Sequence, residues 1–373
     1  MAQRNSLTFF DPEHVERPIP GRPWRAILFG ALGATALLTA GWEAFWRSKG
    51  LIPGDYKNSD ALWAEQRRKA VGEATAIVGS SRILFDVDLD IWEELSGVRP
   101  VQLALEGTSP RAFLKDLADD PSFNGFVIVG VTTVLFFTQE GGLRESALKF
   151  HREETLSQRA DHLLSMPLEQ FFAFIDDQSR PRRQVQIWPF PLREGMLPRF
   201  DPRKLEIMTA DRNTEMWARV VNDPAYQAEA KAQWEIGFRI FAPPPGPNGE
   251  PPAPMPPEAV GAVIAGVKID IDKIRARGGE VAFMRLPYGG GFAPVEDNGF
   301  PRAQFWDRLL RETNSVGVAW QDHAELQGYE LPEWSHLSPR EAERYTRALV
   351  PIFYERLEAE GRKTGKPASR PAE

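Results

Sequence analysis

Three short apolar runs, each followed by a helical pattern, restrict the folds open to this chain more than any other feature. The runs cover residues 74–78, 101–105 and 126–137. The third run is almost continuously apolar, as expected for a parallel strand whose two faces are both covered by helices. Similar alternation returns in the last third of the chain, with helices at 259–275 and 301–313 and strands at 280–286 and 316–320. This rhythm predicts an α/β fold with a doubly wound, mostly parallel sheet between two helical layers.

The middle of the chain departs from this rhythm. Residues 140–257 carry many charges and mostly helical patterns, with one strand-like run at 184–188. We therefore interpret them as an insertion into a single domain that covers residues 59–357. The insertion ends in the proline-rich segment 242–257, which is typical of a solvated loop. The polar residues 361–373 predict a disordered tail.

An uncharged segment near the N-terminus predicts a membrane anchor. Residues 26–42 contain no charged side chain, and an extension to residue 46 adds only Glu43. A helix of roughly 17–25 apolar residues suffices to cross a bilayer. We predict a single transmembrane helix at 26–46, preceded by a disordered cytoplasmic arm at 1–25. A cleaved signal peptide and a buried core helix of a cytosolic protein remain alternatives, and similar numbers of basic residues flank both ends of the segment.

Composition excludes several classes of function. The net charge of −7 argues against nucleic acid as a partner. The chain has no cysteine, which excludes disulfides, thiol nucleophiles and zinc–thiolate sites. None of the five histidines belongs to an HExxH pair. We therefore predict neither a metal site nor a cofactor.

The stretch AIVGSSRILF, residues 76–85, ends an apolar strand on Gly79 and places Ser80 and Ser81 at its tip. One interpretation is an ordinary helix cap, and the other is a nucleophile. A serine nucleophile needs a base and an acid that orients the base. His336 and Glu333 have a suitable spacing, although a surface pair without a role fits the same spacing. Just after them, Ser338-Pro339-Arg340-Glu341 has the sequence of a capping box.

Taken together, these motifs resemble the SGNH (GDSL-like) hydrolase superfamily in type and order. GSSR at 79–82 is similar to the first block, Gly-Asp-Ser, with serine in place of aspartate. Gly107 corresponds to the glycine of the second block, and GVTT at 130–133 falls at the third block, without its asparagine. EWSH at 333–336 corresponds to the final Asp-x-x-His, with glutamate as the acid.

The resemblance implies a three-layer, flavodoxin-like sheet and a set of site residues. Ser81 would be the nucleophile, with Ser80 as a neighbouring spare hydroxyl. His336 would be the base, and Glu333 the acid that orients it. The oxyanion hole would be formed by the groups at Ser81, Gly107 and Thr132, the last in the place of the missing asparagine.

More narrowly, SHLSPREAERYT at 335–346 resembles the membrane-anchored branch of alginate-type O-acetyltransferases and teichoic-acid D-alanylation proteins. This resemblance implies a single-pass protein of the bacterial cytoplasmic membrane with an extracytoplasmic catalytic domain. It would be a serine acyl-esterase or O-acyltransferase, acting on an acylated glycan or small acyl ester beside a membrane O-acyltransferase partner. The alternative is a catalytically inactive envelope scaffold that binds a partner through the insertion.

Three further features lie outside these motifs. YGGGF at 288–292 is glycine-rich but lacks the residues of a phosphate loop, so we expect a flexible loop. His323, beside Asp322, is expected to be a structural or solvent-facing side chain after the last strand. Arg82 could pair near the nucleophile or contact an anionic substrate.

Overall fold

The computed structural model describes residues 21–188, 199–241 and 255–365. The chain divides into two compact units, Met1–Lys49 and Gly50–Glu373. Most of the predicted N-terminal arm and of the proline-rich segment, and residues 366–373 of the predicted tail, lie outside the described residues.

In its described part, the first unit consists of helix α1, Trp24–Ser48. This helix is long and apolar enough to cross a membrane, and none of its most apolar window is buried. A core helix of a soluble domain would be mostly buried. The exposure of this helix therefore argues against the alternative of a buried core helix. The helix is about 38 Å long, which exceeds the roughly 30 Å of a bilayer's hydrocarbon core. The rings of Trp42, Phe45 and Trp46 cluster near its C-terminal end, where interfacial aromatic residues are common.

The second unit is built on a five-stranded sheet. Its strands are β1 (Thr75–Val78), β2 (Val101–Gln102), β3 (Phe126–Gly130), β6 (Glu280–Arg285) and β7 (Gly317–Ala319). They lie in the order β2-β1-β3-β6-β7, and all four pairings are parallel. The predicted α/β architecture with a parallel sheet is thereby confirmed. In doubly wound sheets of this order, ligands bind at the carboxyl edge near the switch point between β1 and β3.

Helices cover both faces of the sheet because successive side chains of each strand point to opposite sides. Ala76 and Val78 of β1 belong to the core on one face. The helices α2 (Asp60–Arg67), α5 (Arg111–Asp119), α12 (Pro257–Ala276) and α14 (Trp306–Thr313) contribute to that core. On the other face, Phe126 of β3 meets Phe353 of α15 (Pro339–Ala359) at 6.1 Å between ring centroids. Helix α4 (Leu89–Ser96) packs against α15 through Trp92 and Phe353.

The remaining helices are short or belong to the insertion. They are α3 (Ser81–Asp86), α6 (Thr133–Thr138), α7 (Ser146–Glu153), α8 (Leu156–Phe171), α9 (Pro181–Gln186), α10 (Ala218–Asn222), α11 (Pro224–Phe241) and α13 (Phe292–Gly299). The prediction of a strand at 184–188 is wrong, because α9 begins at Pro181 and covers most of these residues. An antiparallel hairpin of β4 (Glu206–Met208) and β5 (Thr214–Met216) occurs instead. Its three-residue strands are too short to show an alternating pattern.

The start of the last helix differs from expectation. The side chain of Ser338 makes no capping hydrogen bond, so the predicted capping box does not form. Pro339 occupies the first helical position, where its fixed backbone angle already favours a helix start. The helix continues through Pro351, and its side chains Tyr345, Leu349 and Phe353 are all buried.

The chain after α15 makes defined contacts at the start of the segment that the sequence assigns to a disordered tail. Arg362 Nη2 donates to the carbonyl oxygen of Asn314 at 2.8 Å. Lys363 Nζ donates to the carbonyl oxygen of Gly278 at 3.0 Å. Residues 361–365 therefore lie against loops at the amino-terminal side of the strands.

Candidate active site

The strand ends that carry the candidate motifs meet at one edge of the sheet. Strand β1 lies between β2 and β3. Beyond the ladder, Leu105 N donates to the carbonyl oxygen of Gly79 at 3.0 Å, which keeps the chain towards Gly107 beside the tip of β1. On the other side, Thr132 follows β3 directly. The three segments predicted to form the site thus come together at the carboxyl edge.

Glycine ends β1 because helix α3 packs directly onto the strand tips. A Cβ atom at Gly79 would lie 2.3 Å from Cγ2 of Ile83. A Cβ atom at Gly130 of β3 would lie 2.6 Å from Cβ of the same isoleucine. Both distances are shorter than carbon atoms tolerate. The two glycines therefore allow α3 to pack closely on the strand ends. This packing fixes the position of Ser81, the first residue of the helix.

The two serines of the motif occupy different environments. Ser80 is buried, and its hydroxyl lies 2.5 Å from the hydroxyl of Thr132. Ser81 is the first residue of α3 and is partly exposed. Ser80 is thus engaged in a structural contact between the segments that follow β1 and β3, whereas Ser81 is the serine of the pair that is partly open to solvent. The Thr132 hydroxyl, expected near the oxyanion, is directed to Ser80.

Glu333 and His336 form a buried carboxylate–imidazole pair. His336 Nδ1 lies 2.8 Å from Glu333 Oε1, and the carboxylate and the imidazole are almost fully buried. The same oxygen accepts the backbone N–H of His336 at 2.7 Å. Because an ionised carboxylate can only accept, the proton of the imidazole is assigned to Nδ1. Nε2 is then left with a lone pair, as a general base requires.

Glu333 is held in its ionised form. Burial alone would raise the pKa of Glu333, but the neighbouring His336 and the hydrogen bonds that the carboxylate accepts lower its pKa below the ordinary value. One of these bonds comes from Trp234, whose Nε1 donates to Glu333 Oε2 at 2.5 Å. Trp234 lies on α11, within the insertion, and no sequence pattern pointed to it. The insertion therefore takes part in the candidate site.

A strained turn brings the acid and the base together. Trp334 has a φ of 77°, a left-handed conformation that is rare for a bulky residue. Its carbonyl oxygen accepts the N–H of Gly289 at 2.8 Å. A Cβ atom at Gly290 would lie 2.2 Å from the Trp334 ring. The glycines of the YGGGF segment thus form a loop surface on which the tryptophan packs.

The loop of His336 packs along helix α3. The imidazole stacks on the ring of Phe85, with 4.3 Å between centroids. Phe85 follows Ser81 by four residues, so the two side chains lie on the same face of the helix, one turn apart. His336 Nε2 is buried and has no hydrogen-bond partner among the described residues, Ser81 included. The structure thus places the predicted nucleophile and base on adjoining segments without a hydrogen bond between them.

Helix α3 is tied to its surroundings by two further charged side chains. Arg82 donates through Nη1 to Glu296 Oε1 at 2.8 Å, and both side chains are buried. The Arg82 guanidinium also lies over the rings of Tyr288 and Phe292, at 4.9 and 5.2 Å from their centroids. Asp86 accepts the backbone N–H of Leu337 at 2.9 Å. Of the two expectations for Arg82, these contacts favour pairing near the nucleophile.

Asp86 is buried with only one of its oxygens hydrogen-bonded. Burial raises the pKa of Asp86 well above its ordinary value of 3.8, although the Leu337 N–H and the charge of Arg82 oppose this. The folded protein therefore keeps the Asp86 proton at pH values where the unfolded chain has lost it. The stabilising contribution is fully present below pH 3.8 and is lost as the pH rises through the folded-state pKa.

We expect Asp86→Asn to remove this pH dependence. The amide oxygen can still accept the Leu337 N–H, and asparagine carries no charge at any pH. Relative to the parent, the variant should gain stability with rising pH, by up to about 1.4 kcal/mol per pH unit. Denaturant unfolding of both proteins at mildly acidic and mildly alkaline pH measures this difference. The exposed Asp272→Asn is the control, and a constant difference between Asp86→Asn and the parent would contradict the expectation.

Gly107 is positioned by a cluster of polar side chains. Its φ of 62° lies in the left-handed region that glycine adopts readily. The preceding Glu106 accepts Nδ2 of Asn58 at 2.6 Å and also pairs with Arg144. These contacts fix the turn after β2, and they come from segments far apart in sequence.

Among the described residues, no metal centre coincides with the candidate site, and one large cavity lies elsewhere. Over the described ranges, no group of three histidine, aspartate or glutamate side chains could hold a metal ion. A cavity of about 620 Å³ is lined by Arg302, Trp306 and His323, among others, and by none of the candidate site residues. His323 thus borders a separate depression, and its neighbour Asp322 pairs with Arg302.

Comparison with known proteins adds no further constraint. No family model and no curated protein matches this chain.

Proposed function

We propose that this protein is a membrane-anchored serine acyl-esterase or O-acyltransferase of the SGNH (GDSL-like) type. Ser81 is the nucleophile, His336 the general base and Glu333 the acid that orients it. The observation that carries the proposal is the buried Glu333–His336 pair, whose imidazole has an unpartnered Nε2 and stacks one helical turn from Ser81. A merely structural histidine would usually satisfy both ring nitrogens when buried.

The reaction follows from these positions. Ser81 Oγ attacks the ester carbonyl while His336 Nε2 takes the hydroxyl proton, and Glu333 stabilises the imidazolium that forms. The backbone N–H groups of Ser81 and Gly107 stabilise the oxyanion. The tetrahedral intermediate then expels the alcohol, which receives the proton from His336. Water or a sugar hydroxyl then attacks the acyl carbon while His336 Nε2 takes its proton, and His336 returns that proton to Ser81 Oγ as the acyl group leaves.

The substrate class is an acylated glycan or a related small acyl ester. Half-buried aromatic rings surround the Glu333–His336 loop. Trp234 packs against Phe292 at 5.6 Å between centroids, and Trp334 lies on the neighbouring glycine turn. Such rings offer broad apolar faces with a polar edge, which suits the C–H faces of a sugar. We propose an extracytoplasmic location at a bacterial cytoplasmic membrane, with a membrane O-acyltransferase as the partner that supplies acyl groups.

A second candidate is a catalytically inactive scaffold. Two observations favour it: Thr132 stands where the third block has asparagine, and its hydroxyl is directed to Ser80 rather than to Ser81. Loss of one oxyanion donor typically lowers the rate about 10²–10³-fold. In this candidate, the insertion would serve to bind a partner.

Labelling with a fluorophosphonate probe separates the two candidates. The full chain in detergent micelles is treated beside Ser81→Ala, Ser80→Ala and His336→Ala. The enzyme proposal expects labelling of the parent and of Ser80→Ala, and none of Ser81→Ala or His336→Ala. A folded parent protein that reacts no faster than Ser81→Ala would reject the enzyme and leave the scaffold. Tryptophan fluorescence melting checks that each variant is folded.

A further inference from the structure

Helix α8 (Leu156–Phe171) has the reverse of the usual amphipathic arrangement. Four of its leucines are largely exposed, namely Leu156, Leu163, Leu164 and Leu168, at 87%, 56%, 73% and 49% of their surface. With Ala160 and Pro167, which are also exposed, they fall on one side spanning about 140° of the helix. A surface helix normally turns such a side towards the core. Here it points away from the domain.

The side of α8 that faces the domain is mixed and largely polar. His162 is buried, and its Nε2 lies 2.9 Å from Glu65 Oε2. Glu169 accepts the backbone N–H of Lys57 at 2.9 Å through its carboxylate. The helix is thus held to the domain by hydrogen bonds, and its apolar side is left for another environment.

The end of α8 is hydrogen-bonded to the chain segment that follows the membrane-spanning candidate α1 in sequence. The carbonyl oxygen of Glu169 accepts the N–H of Gly54 at 2.9 Å, and Gln170 Oε1 accepts the hydroxyl of Tyr56 at 2.5 Å. Helix α1 ends at Ser48. The six residues from Ser48 to Gly54 span at most about 20 Å when fully extended. Chain length alone therefore keeps this end of α8 near the point where α1 would leave a bilayer.

We propose that the leucine side of α8 lies in the interface of the membrane that α1 crosses. An amphipathic helix of this kind lies parallel to the surface, with its apolar side about 5–10 Å into the boundary of headgroups and acyl chains. The chain would then contact the bilayer through two helices, α1 and α8. The inference rests on the proposed membrane anchoring and is independent of the acyl-transfer chemistry.

Site-specific fluorescence in lipid nanodiscs tests this contact. The chain has no cysteine, so single cysteines can be introduced at chosen positions. Leu164→Cys reports on α8. Ile269→Cys is the matched control, since it is also an exposed apolar residue on a helix, at 59% of its surface. Leu37→Cys marks α1. Each full-length variant carries an environment-sensitive dye, one chain per disc, with and without doxyl-labelled lipids.

We expect doxyl lipids to quench the dye at 164 and at 37 several-fold more strongly than the dye at 269. A dye at 164 that is quenched no more than at 269 would overturn the proposal. In that case water-like emission would indicate a solvated face, and blue-shifted emission would indicate cover by protein. Absence of quenching at 37 would overturn the anchoring and the α8 contact together. None of these results depends on whether Ser81 reacts with an acyl donor.

Discussion

Glu333→Gln is expected to lower the rate of fluorophosphonate labelling at Ser81 by about 10⁴-fold, the loss seen when a serine triad loses its carboxylate. Oε1 of Glu333 accepts both the backbone N–H and the Nδ1 proton of His336. Oε2 accepts Trp234 Nε1. A glutamine has only one oxygen, so its NH₂ group must face a donor on one side or the other. With the NH₂ group towards His336, the imidazole loses the acceptor that keeps its proton on Nδ1. With the NH₂ group towards Trp234, the imidazole keeps a neutral acceptor, which stabilises the imidazolium less than a carboxylate does.

The same substitution should also cost stability. A buried donor without an acceptor costs about 1–3 kcal/mol, and every orientation of the glutamine creates at least one. The labelling rate and the melting temperature are measured on the same samples. Glu330→Gln is the matched control, because Glu330 is an exposed glutamate of the same segment. A folded Glu333→Gln protein that reacts at the parent rate would show that the pair is structural.

Arg82→Met is expected to destabilise the protein by about 3–5 kcal/mol. This is the usual cost of removing one member of a buried ion pair, because the other charge is left buried without a partner. Arg82 and Glu296 have side chains that are 3% and 0% exposed. The second oxygen of Glu296 has no hydrogen-bond partner in the described residues. Arg285 is the next cation, at 3.9 Å from that oxygen, so it offsets only part of the loss. Denaturant unfolding of the full chain measures the change.

A double-mutant cycle identifies the cause. Arg82→Met combined with Glu296→Gln removes both charges and should recover most of the stability lost in the single variant. Arg347→Met is the control at an exposed pair, where the partner Glu94 lies 2.9 Å away. It should have little effect, because solvent screens exposed ion pairs. If the double variant is as unstable as Arg82→Met, the loss comes from packing against Tyr288 and Phe292 instead.

The parts of the fold that could be predicted from the sequence are those set by residues close together along the chain. Strands β1, β3 and β6 were predictable because both of their faces are covered, which makes their central residues apolar without interruption. The helix α9 and the hairpin of β4 and β5 were not, because a proline start and three-residue strands leave no clear periodicity. The capping box at Ser338 matched in sequence but did not form in the structure.

In the candidate site, the local pairs can be predicted from the sequence. Glu333 and His336 are three residues apart, so one turn suffices to join them, and Gly79 marks the tip of β1. The tertiary structure was needed to find the contacts between distant residues. Trp234 and Glu333 are 99 residues apart, and Arg82 and Glu296 are 214 apart. It also decided that Ser80 is buried against Thr132 while Ser81 stays accessible. Residues that are close in sequence can meet in only a few geometries, so their spacing predicts their contacts. Contacts between distant residues depend on how the helices pack on the sheet, and sequence spacing does not encode that packing.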